Sequence, residues 1–327
     1  MAYSLEVIRR ARQRLAEAKE EKESLTREKL QTVYSRLPRV KMIDIELRKS
    51  MVLAAQSVFQ QTEEAKTAME DAKKANLLLQ QERKALIEQC FGADYLDESP
   101  VCSHCQGVGY IGTRMCSCLQ ELCRQEQKKE LSLLACGEGD FSQFRLDYYP
   151  SQVDSRYGAS PRTIMEQNLK LCRRFAENFG KGNLLFIGGT GLGKTFLSAC
   201  VAREVADRGY SVAYESAGHL FLKMEKNRFS PDEESEAGVQ RLYQSDLLII
   251  DDLGTELPGN FVTASLYNLV NDRLLSGKPM VISTNLNIDE IARRYSPQIA
   301  SRLQGSFQRL TFVGDDIRIL KSKGITF

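Results

Sequence analysis

Three features are missing from this 327-residue sequence, and each absence excludes a class of protein. No stretch approaches the roughly 18 consecutive apolar residues that span a bilayer, so we expect no membrane partner. The N-terminal segment carries charge early and has no apolar core, which is unlike a secretory signal. Lysine and arginine number 45 against 43 aspartates and glutamates, so the chain lacks a strong field of one sign. We therefore expect a cytoplasmic protein whose nucleic-acid contacts come from a local basic surface.

The remaining composition is that of a folded protein with metal sites or free thiols. Hydrophobic residues make up 42% of the chain and charged residues 27%, so disorder is not expected. The length allows two or three domains. Nine cysteines in a chain without a secretory signal fit metal binding or free thiols better than a disulfide framework.

Proline is scarce in the first ninety residues, where Pro38 is the only one. Residues that are mostly small or apolar recur on both sides of Pro38. Before Pro38 their spacing alternates between four and three residues, and after Pro38 they recur every seven residues. The second series is Val58, Ala65, Ala72, Leu79 and Leu86. Both patterns predict long amphipathic helices, which could form an antiparallel hairpin. Such a hairpin either packs on itself or offers a partner-binding surface, and polar companion positions disfavour a long dimeric coiled coil.

Composition divides the chain into four predicted segments. Residues 1–90 form a helical N-terminal domain, residues 91–135 a cysteine-rich segment ending in a helix, residues 136–159 a linker, and residues 160–327 alternate strand-like and helical runs. That alternation predicts an α/β fold with a parallel sheet flanked by helices. The strand candidates are Asn183–Ile187, Ser211–Tyr214, Asp246–Ile250, Pro279–Ser283 and Arg309–Val313.

A phosphate-binding loop is the strongest motif in the chain. The segment GGTGLGKT matches G-x-x-x-x-G-K-[ST], follows the apolar run LLFI and precedes a helix-like stretch. Glycines let backbone N–H groups surround phosphates, and the helix N-terminus adds a favourable dipole. Lys194 would reach the β- and γ-phosphates of ATP, and Thr195 would ligate Mg²⁺. The predicted nucleotide-binding residues are Gly188, Gly189, Thr190, Gly191, Leu192, Gly193, Lys194, Thr195 and Phe196.

Two further strand ends complete a predicted ATPase site. The run LLII ends in Asp251, which is placed to hold Mg²⁺, and Asp252, which could orient or activate the attacking water. Many ATPases have a longer glutamate at the second position, so Asp252 predicts hydrolysis that is slow. The next apolar run ends in Asn285, whose amide could position the water. The alternatives are helix-capping aspartates and a simple turn residue.

Four cysteines are spaced as metal ligands: Cys102, Cys105, Cys116 and Cys118. Two such pairs on glycine-rich turns suit tetrahedral Zn²⁺, and the metal would supply folding energy to a segment too small for its own core. Because the second pair is the tighter C-x-C, Cys123 could replace Cys118, and His104 could replace Cys105. Free buried cysteines and an iron–sulfur cluster are the weaker alternatives.

Residues 160–327 resemble the AAA+ domain of DnaC/DnaI-type bacterial helicase loaders and of the related IstB transposition helper ATPases. The segments GGTGLGKT, LLIIDDLGTE, ISTN and YSPQIASRL carry the resemblance. The cysteine-rich segment is similar to that of DnaC-like proteins from Gram-positive bacteria and their phages, so most of the chain is covered, although only the AAA+ part has specific motifs. The resemblance implies that Arg302 is an arginine finger acting in trans, and that Arg318 is a sensor-2 arginine touching the nucleotide. A solvated surface cation is the alternative for both.

The resemblance also implies a function. The protein would load the replicative DNA helicase, a DnaB-type hexamer, using ATP, Mg²⁺ and self-association through the AAA+ domain, with the N-terminal helices contacting the helicase. A loader must touch single-stranded DNA, and Arg293 and Arg294 beside Tyr295 could offer a cationic and aromatic surface. The alternatives are an IstB-like regulator that delivers a transposase to DNA, which the cysteine segment disfavours, and a nucleotide-dependent adaptor without hydrolysis.

Overall fold

The computed structural model describes residues 3–57, 63–132 and 140–326. These residues fall into two units, one within Gln13–Cys118 and the other within Met1–Arg12 and Leu119–Phe327. The heptad position Val58, and residues 133–139 where the predicted cysteine-rich segment meets the predicted linker, lie outside the described residues. No described helix is both long enough and apolar enough to cross a membrane.

Three helices occupy most of the first ninety residues: α1 (Leu5–Arg36), α2 (Pro38–Ser57) and α3 (Glu63–Phe91). Pro38 is the first residue of α2, where a missing N–H costs nothing because N–H groups of the first turn have no partner within the helix. Leu37 alone separates α1 from α2.

The helical hairpin is formed by α2 and α3. Arg39 Nε donates to Glu82 at 2.8 Å, and Asn76 Nδ2 donates to Ser50 Oγ at 2.7 Å, so residue numbers rise along one helix and fall along the other. This antiparallel pair lies entirely after Pro38. The expectation of a hairpin whose two arms lie on either side of Pro38 was therefore wrong, because the helices that pack along each other are the two later ones.

The unit Gln13–Cys118 also contains a short β-hairpin, which lies in sequence between Cys105 and Cys116. Strands β1 (Tyr110–Ile111) and β2 (Arg114–Met115) pair antiparallel, and Gly112 in the connecting turn has a positive φ of 59°. Helix α4 (Ser117–Ser132) follows and continues into the other unit.

The larger unit contains a five-stranded sheet, which confirms the predicted α/β fold. Its strands are β3 (Leu184–Ile187), β4 (Val212–Ser216), β5 (Leu247–Leu253), β6 (Met280–Thr284) and β7 (Gln308–Thr311). Their order is β4–β5–β6–β3–β7, and every pairing is parallel. Each strand overlaps its predicted segment, because continuous apolar runs between turn residues are typical of strands buried on both faces.

Helices cover both faces of this sheet. Side chains alternate along each strand, so Leu184 and Phe186 of β3 enter one hydrophobic core while Leu185 enters the other. The helices of this part are α5 (Pro161–Glu177), α6 (Lys194–Asp207), α7 (Ala217–Phe229), α8 (Glu233–Gln244), α9 (Asn260–Leu275), α10 (Ile288–Arg294), α11 (Pro297–Ser306) and α12 (Ile317–Lys323).

A buried arginine joins three segments of this unit. Arg273 of α9 is completely inaccessible to solvent, and burial lowers its pKa to about 10. Its Nη1 donates to the carbonyl oxygens of Leu242 at 2.8 Å and Ser245 at 3.1 Å, and its Nη2 donates to that of Pro279 at 2.8 Å. These carbonyls lie at the end of α8 and just before β6, so one side chain satisfies backbone groups that have left regular structure.

We predict that Arg273→Met lowers the free energy of unfolding by about 3 kcal/mol or more, because each buried carbonyl that loses its donor costs about 1–3 kcal/mol. Urea denaturation of the full chain measures the change. The matched control is Arg309→Met, which removes an exposed arginine on β7 and should leave stability unchanged. An equal effect of the two substitutions would contradict this role for Arg273.

Candidate functional site

The loop between β3 and α6 has a shape that requires glycine. Gly191 and Gly193 have positive φ values of 73° and 90°, in the left-handed region. A Cβ atom on Gly191 would lie 2.0 Å from the Asp316 carboxylate, and one on Gly188 would lie 2.4 Å from the Phe312 carbonyl oxygen. The loop therefore packs directly against the segment that joins β7 to α12, and larger residues would displace it.

The ammonium group of Lys194 lies inside this loop. Its Nζ donates to the carbonyl oxygens of Gly188 at 2.7 Å and Gly189 at 2.6 Å, and to Asn285 Oδ1 at 2.6 Å. Burial lowers the pKa of Lys194, and the nearby carboxylates of Asp252 and Asp251 oppose that shift. All three hydrogen-bond acceptors are uncharged, so the phosphate oxygens of a nucleotide can replace them with a gain in electrostatic energy.

Two adjacent carboxylates at the end of β5 have different surroundings. Asp251 is buried and accepts hydrogen bonds from the hydroxyls of Ser283 and, at 2.9 Å, Tyr214. Asp252 is half-buried with a positive φ of 55°, and its N–H donates to Ser283 Oγ at 2.9 Å. Burial raises the pKa of Asp252, and the charge of Asp251 raises it further. Asp251 is thus fixed by hydroxyl donors, whereas the raised pKa of Asp252 makes it a stronger base than an exposed aspartate.

A cavity of about 500 Å³ opens beside the loop, within the usual size range of small-molecule sites. Its lining contains the predicted loop residues 190–196 together with the predicted site residues Asp252, Asn285 and Arg318. Thr195 is among these lining residues, and Asp251 immediately precedes the lining residue Asp252. A nucleotide with Mg²⁺ fits these groups, because glycine-rich backbone, an ammonium and carboxylate oxygens are the donors that bind it.

Aromatic residues that no sequence motif predicted also line this cavity. Phe144, Tyr148 and Tyr149 line it, and the hydroxyl of the fully buried Tyr149 donates to the Leu192 carbonyl at 2.9 Å. They belong to the predicted linker 136–159. The clustered aromatics of FSQFRLDYYP were the available signal. Ser283 and Tyr214 were also missed, because isolated hydroxyls in strands give no pattern.

Arg302 lies apart from this group. It is on α11, is absent from the cavity lining, and is hydrogen-bonded to Tyr267 and Asn271 of α9. The chain's own nucleotide site therefore includes Arg318 but not Arg302.

Residues 293–295 were predicted to form a DNA-contacting surface, and this prediction is wrong for Tyr295. Tyr295 is only 8% exposed, and its hydroxyl donates to the buried carboxylate of Glu256. Burial, and then Glu256, raise the pKa of Tyr295. Arg294 also donates to the Glu256 carbonyl oxygen, so both side chains serve to enclose one buried acid, and the ring is inaccessible to a nucleic-acid base.

The four predicted cysteine ligands lie together: Cys102, Cys105, Cys116 and Cys118. Their sulfurs all lie within 4.8 Å of one another, with Cys105 to Cys118 at 3.4 Å and Cys102 to Cys116 at 3.8 Å. Ligands at about 2.3 Å from a tetrahedral zinc ion would be about 3.8 Å apart, so the group fits such an ion. Burial raises the pKa of Cys105, but a hydrogen bond from the Gly109 N–H and bonds from neighbouring thiols lower it to about 6, which favours the metal-binding thiolate.

Neither alternative ligand belongs to this cluster: Cys123 and His104 are both outside it. The cluster could therefore hold a metal ion with four sulfur ligands.

Comparison with known proteins finds relatives of the region that contains most of the nucleotide-site residues. Residues 153–303 match the family model described as IstB-like ATP binding protein. The replicative helicase loader DnaC of Escherichia coli K12 is 26% identical over 139 residues, which are 42% of this chain and 56% of DnaC. The chain thus spans little more than half the length of that relative.

Two Bacillus subtilis proteins match over longer stretches. The phage-like element PBSX protein XkdC is 28% identical over 193 residues, covering 55% of this chain and 66% of XkdC. The replicative helicase loader DnaI is 25% identical over 225 residues, covering 62% of this chain and 70% of DnaI. Residues 153–303 are thus similar to IstB-like ATP-binding proteins, and this part of the chain is also similar to the helicase loaders DnaC and DnaI.

Proposed function

We propose that this protein loads a replicative DNA helicase, a DnaB-type hexamer, onto single-stranded DNA in an ATP-dependent cycle. The observation that carries the proposal is the nucleotide cavity, where Lys194, Asp252, Asn285 and Arg318 meet in a domain similar to two replicative helicase loaders. Four functional groups around one cavity are more than a nucleotide-dependent adaptor needs, so we favour an ATPase.

ATP binding would rearrange the hydrogen bonds of Lys194. Its ammonium would leave the Gly188 and Gly189 carbonyls for the β- and γ-phosphates, while backbone N–H groups of the loop and the N-terminus of α6 hold the remaining phosphate charge. Thr195 and Asp251 would hold Mg²⁺, which offsets negative charge on the phosphates. Phe144 and Tyr148 would contact the adenine ring of ATP.

Hydrolysis would use Asp252 and Asn285. Asn285 orients a water molecule, and Asp252 accepts its proton as the water oxygen bonds to the γ-phosphorus. The bond to the bridging oxygen breaks, and ADP and phosphate form. The raised pKa of Asp252 favours proton transfer, whereas the short side chain limits its reach, so we expect slow turnover.

A second copy of the chain would complete the site. Arg302 is outside its own chain's cavity, so we propose that it reaches the ATP of a neighbour, where a guanidinium stabilises negative charge in the transition state. This arrangement makes self-association part of the ATPase cycle.

The helicase would bind the α2–α3 hairpin. This hairpin exposes four large apolar side chains, 57–66% accessible: Met51, Val52, Leu77 and Leu78. Each pair is next in sequence to one partner of the Asn76–Ser50 hydrogen bond, and groups of exposed apolar residues mark protein interaction sites. Of the residues predicted to contact DNA, Arg293 is exposed and remains a candidate.

The IstB-like family model supports a second candidate function. In this second function, the same ATPase cycle would deliver a transposase to duplex DNA and would not load a helicase onto single-stranded DNA.

We propose that the cysteine cluster holds a structural zinc ion. Cys102→Ser should remove about one equivalent of zinc per chain, because a structural site needs all four ligands. Elemental analysis of the purified full chain measures this. The matched control is Cys90→Ser, an exposed cysteine of α3 outside the cluster, which should retain the metal. An unchanged zinc content in Cys102→Ser would refute the assignment.

The loader function predicts nucleotide-dependent co-elution with the host's replicative helicase in size-exclusion chromatography. The wild-type chain should co-elute with ATP, and Lys194→Ala should not, because it lacks the ammonium that binds the phosphates. Lys181→Ala, which removes an exposed lysine, is the control and should behave as wild type. Failure to co-elute under any nucleotide condition would reject the helicase as partner and favour the transposase alternative.

A further inference from the structure

Two side chains of α9 hold the guanidinium of Arg302. Its Nε and Nη2 donate to Asn271 Oδ1 at 3.1 and 3.0 Å, and Nη2 also donates to the Tyr267 hydroxyl at 2.8 Å. The guanidinium carbon lies 4.4 Å from the centroid of the Tyr267 ring. Stacking and hydrogen bonding together fix both the plane and the direction of the group.

These contacts leave one amino group of the guanidinium for another partner. A guanidinium has five N–H donors, and three of them are used in the bonds to Asn271 and Tyr267. Both donors on Nη1 have no hydrogen-bond acceptor among the side chains and backbone that the structure describes. The held arginine therefore presents Nη1 in a defined direction.

The charge of Arg302 is also left uncompensated. Asn271 and Tyr267 are neutral, and no carboxylate of the described residues forms an ion pair with Arg302. Arg83 and Arg241, which also join elements, do have carboxylate partners, Asp44 at 2.7 Å and Glu130 at 3.6 Å, whereas the fully buried Arg273 donates to carbonyl oxygens. An arginine that is oriented but not neutralised suits the recognition of a phosphate group.

We propose that Tyr267 and Asn271 are positioning residues for Arg302, and that they aim its Nη1 at the ATP bound by a neighbouring copy. This inference rests on the proposed ATPase function in trans. A free arginine side chain must lose rotamer freedom when it reaches a phosphate, and the two α9 residues impose that order before the copies meet. They act on the reaction only through Arg302.

Steady-state ATP turnover of the full chain, with single-stranded DNA in excess, tests the role. Asn271→Ala should lower kcat about tenfold to a hundredfold, the usual cost of a misplaced catalytic group, and leave the KM for ATP unchanged because the variant's own ATP site is intact. Tyr267→Phe keeps the ring but loses one hydrogen bond, so its loss should be smaller. Asn268→Ala, an exposed asparagine on the same helix, is the control and should match wild type.

Mixing experiments locate the defect. Lys194→Ala chains should bind no ATP but carry an intact Arg302 with its α9 partners. Adding them to Asn271→Ala chains should restore turnover at the ATP sites of the latter, as it should for Arg302→Ala chains, which alone should lose about 10³-fold or more. Restoration by mixing is a result that a merely structural role in folding would not give.

The outcomes separate this inference from the proposed function. If Arg302→Ala is inactive while Asn271→Ala and Tyr267→Phe both turn over as wild type, the trans finger stands and the positioning role is wrong. A raised KM with unchanged kcat in Asn271→Ala would also overturn the positioning role. If Arg302→Ala is as active as wild type, or wild type does not hydrolyse ATP, the proposed function fails and the positioning role with it.

Discussion

The nucleotide site depends on the hydrogen bonds of one buried positive charge, the ammonium of Lys194. A buried ammonium must have hydrogen-bond acceptors, and here they come from the carboxyl ends of two neighbouring strands. Gly188 and Gly189 follow β3, and Asn285 follows β6. These strands are adjacent in the sheet, with Ile187 opposite Thr284, so the strand order itself places the acceptors around the ammonium. The site is therefore a consequence of the parallel topology.

The hydroxyl of Ser283 extends this arrangement to the next strand. It donates to the Asp251 carboxylate and accepts from the Asp252 N–H, so one side chain of β6 fixes two consecutive residues of β5. The register of β5 on β6 shifts between Ile250 and Leu253, and this irregularity places Asp252 in the left-handed region. Its carboxyl group consequently reaches the cavity while that of Asp251 remains buried. A two-residue motif thus acquires two chemical environments.

The sequence predicted those features whose cause is local. Loop glycines, apolar strands with polar ends, and paired cysteines each carry a pattern in a few consecutive residues, and the structure contains a phosphate-binding loop, a parallel sheet and a cysteine cluster at these positions. Features set by packing between distant segments were not predictable. The ring of Tyr295 reads as a candidate for base stacking, yet Glu256 and the surrounding core bury it. The hairpin of α2 and α3 brings together residues far apart in sequence, such as Arg39 and Glu82, and the aromatics near Tyr149 meet the loop in the same way.

In the proposed cycle, each chain supplies an ATP site that is complete except for one arginine, which a second copy provides. The most direct measurement is ATP turnover per chain over a range of protein concentrations, with sizing of the same samples. A site shared between copies predicts that turnover per chain rises with concentration as assemblies form, since association follows mass action. Constant turnover per chain, maintained where sizing shows single chains, would contradict the claim.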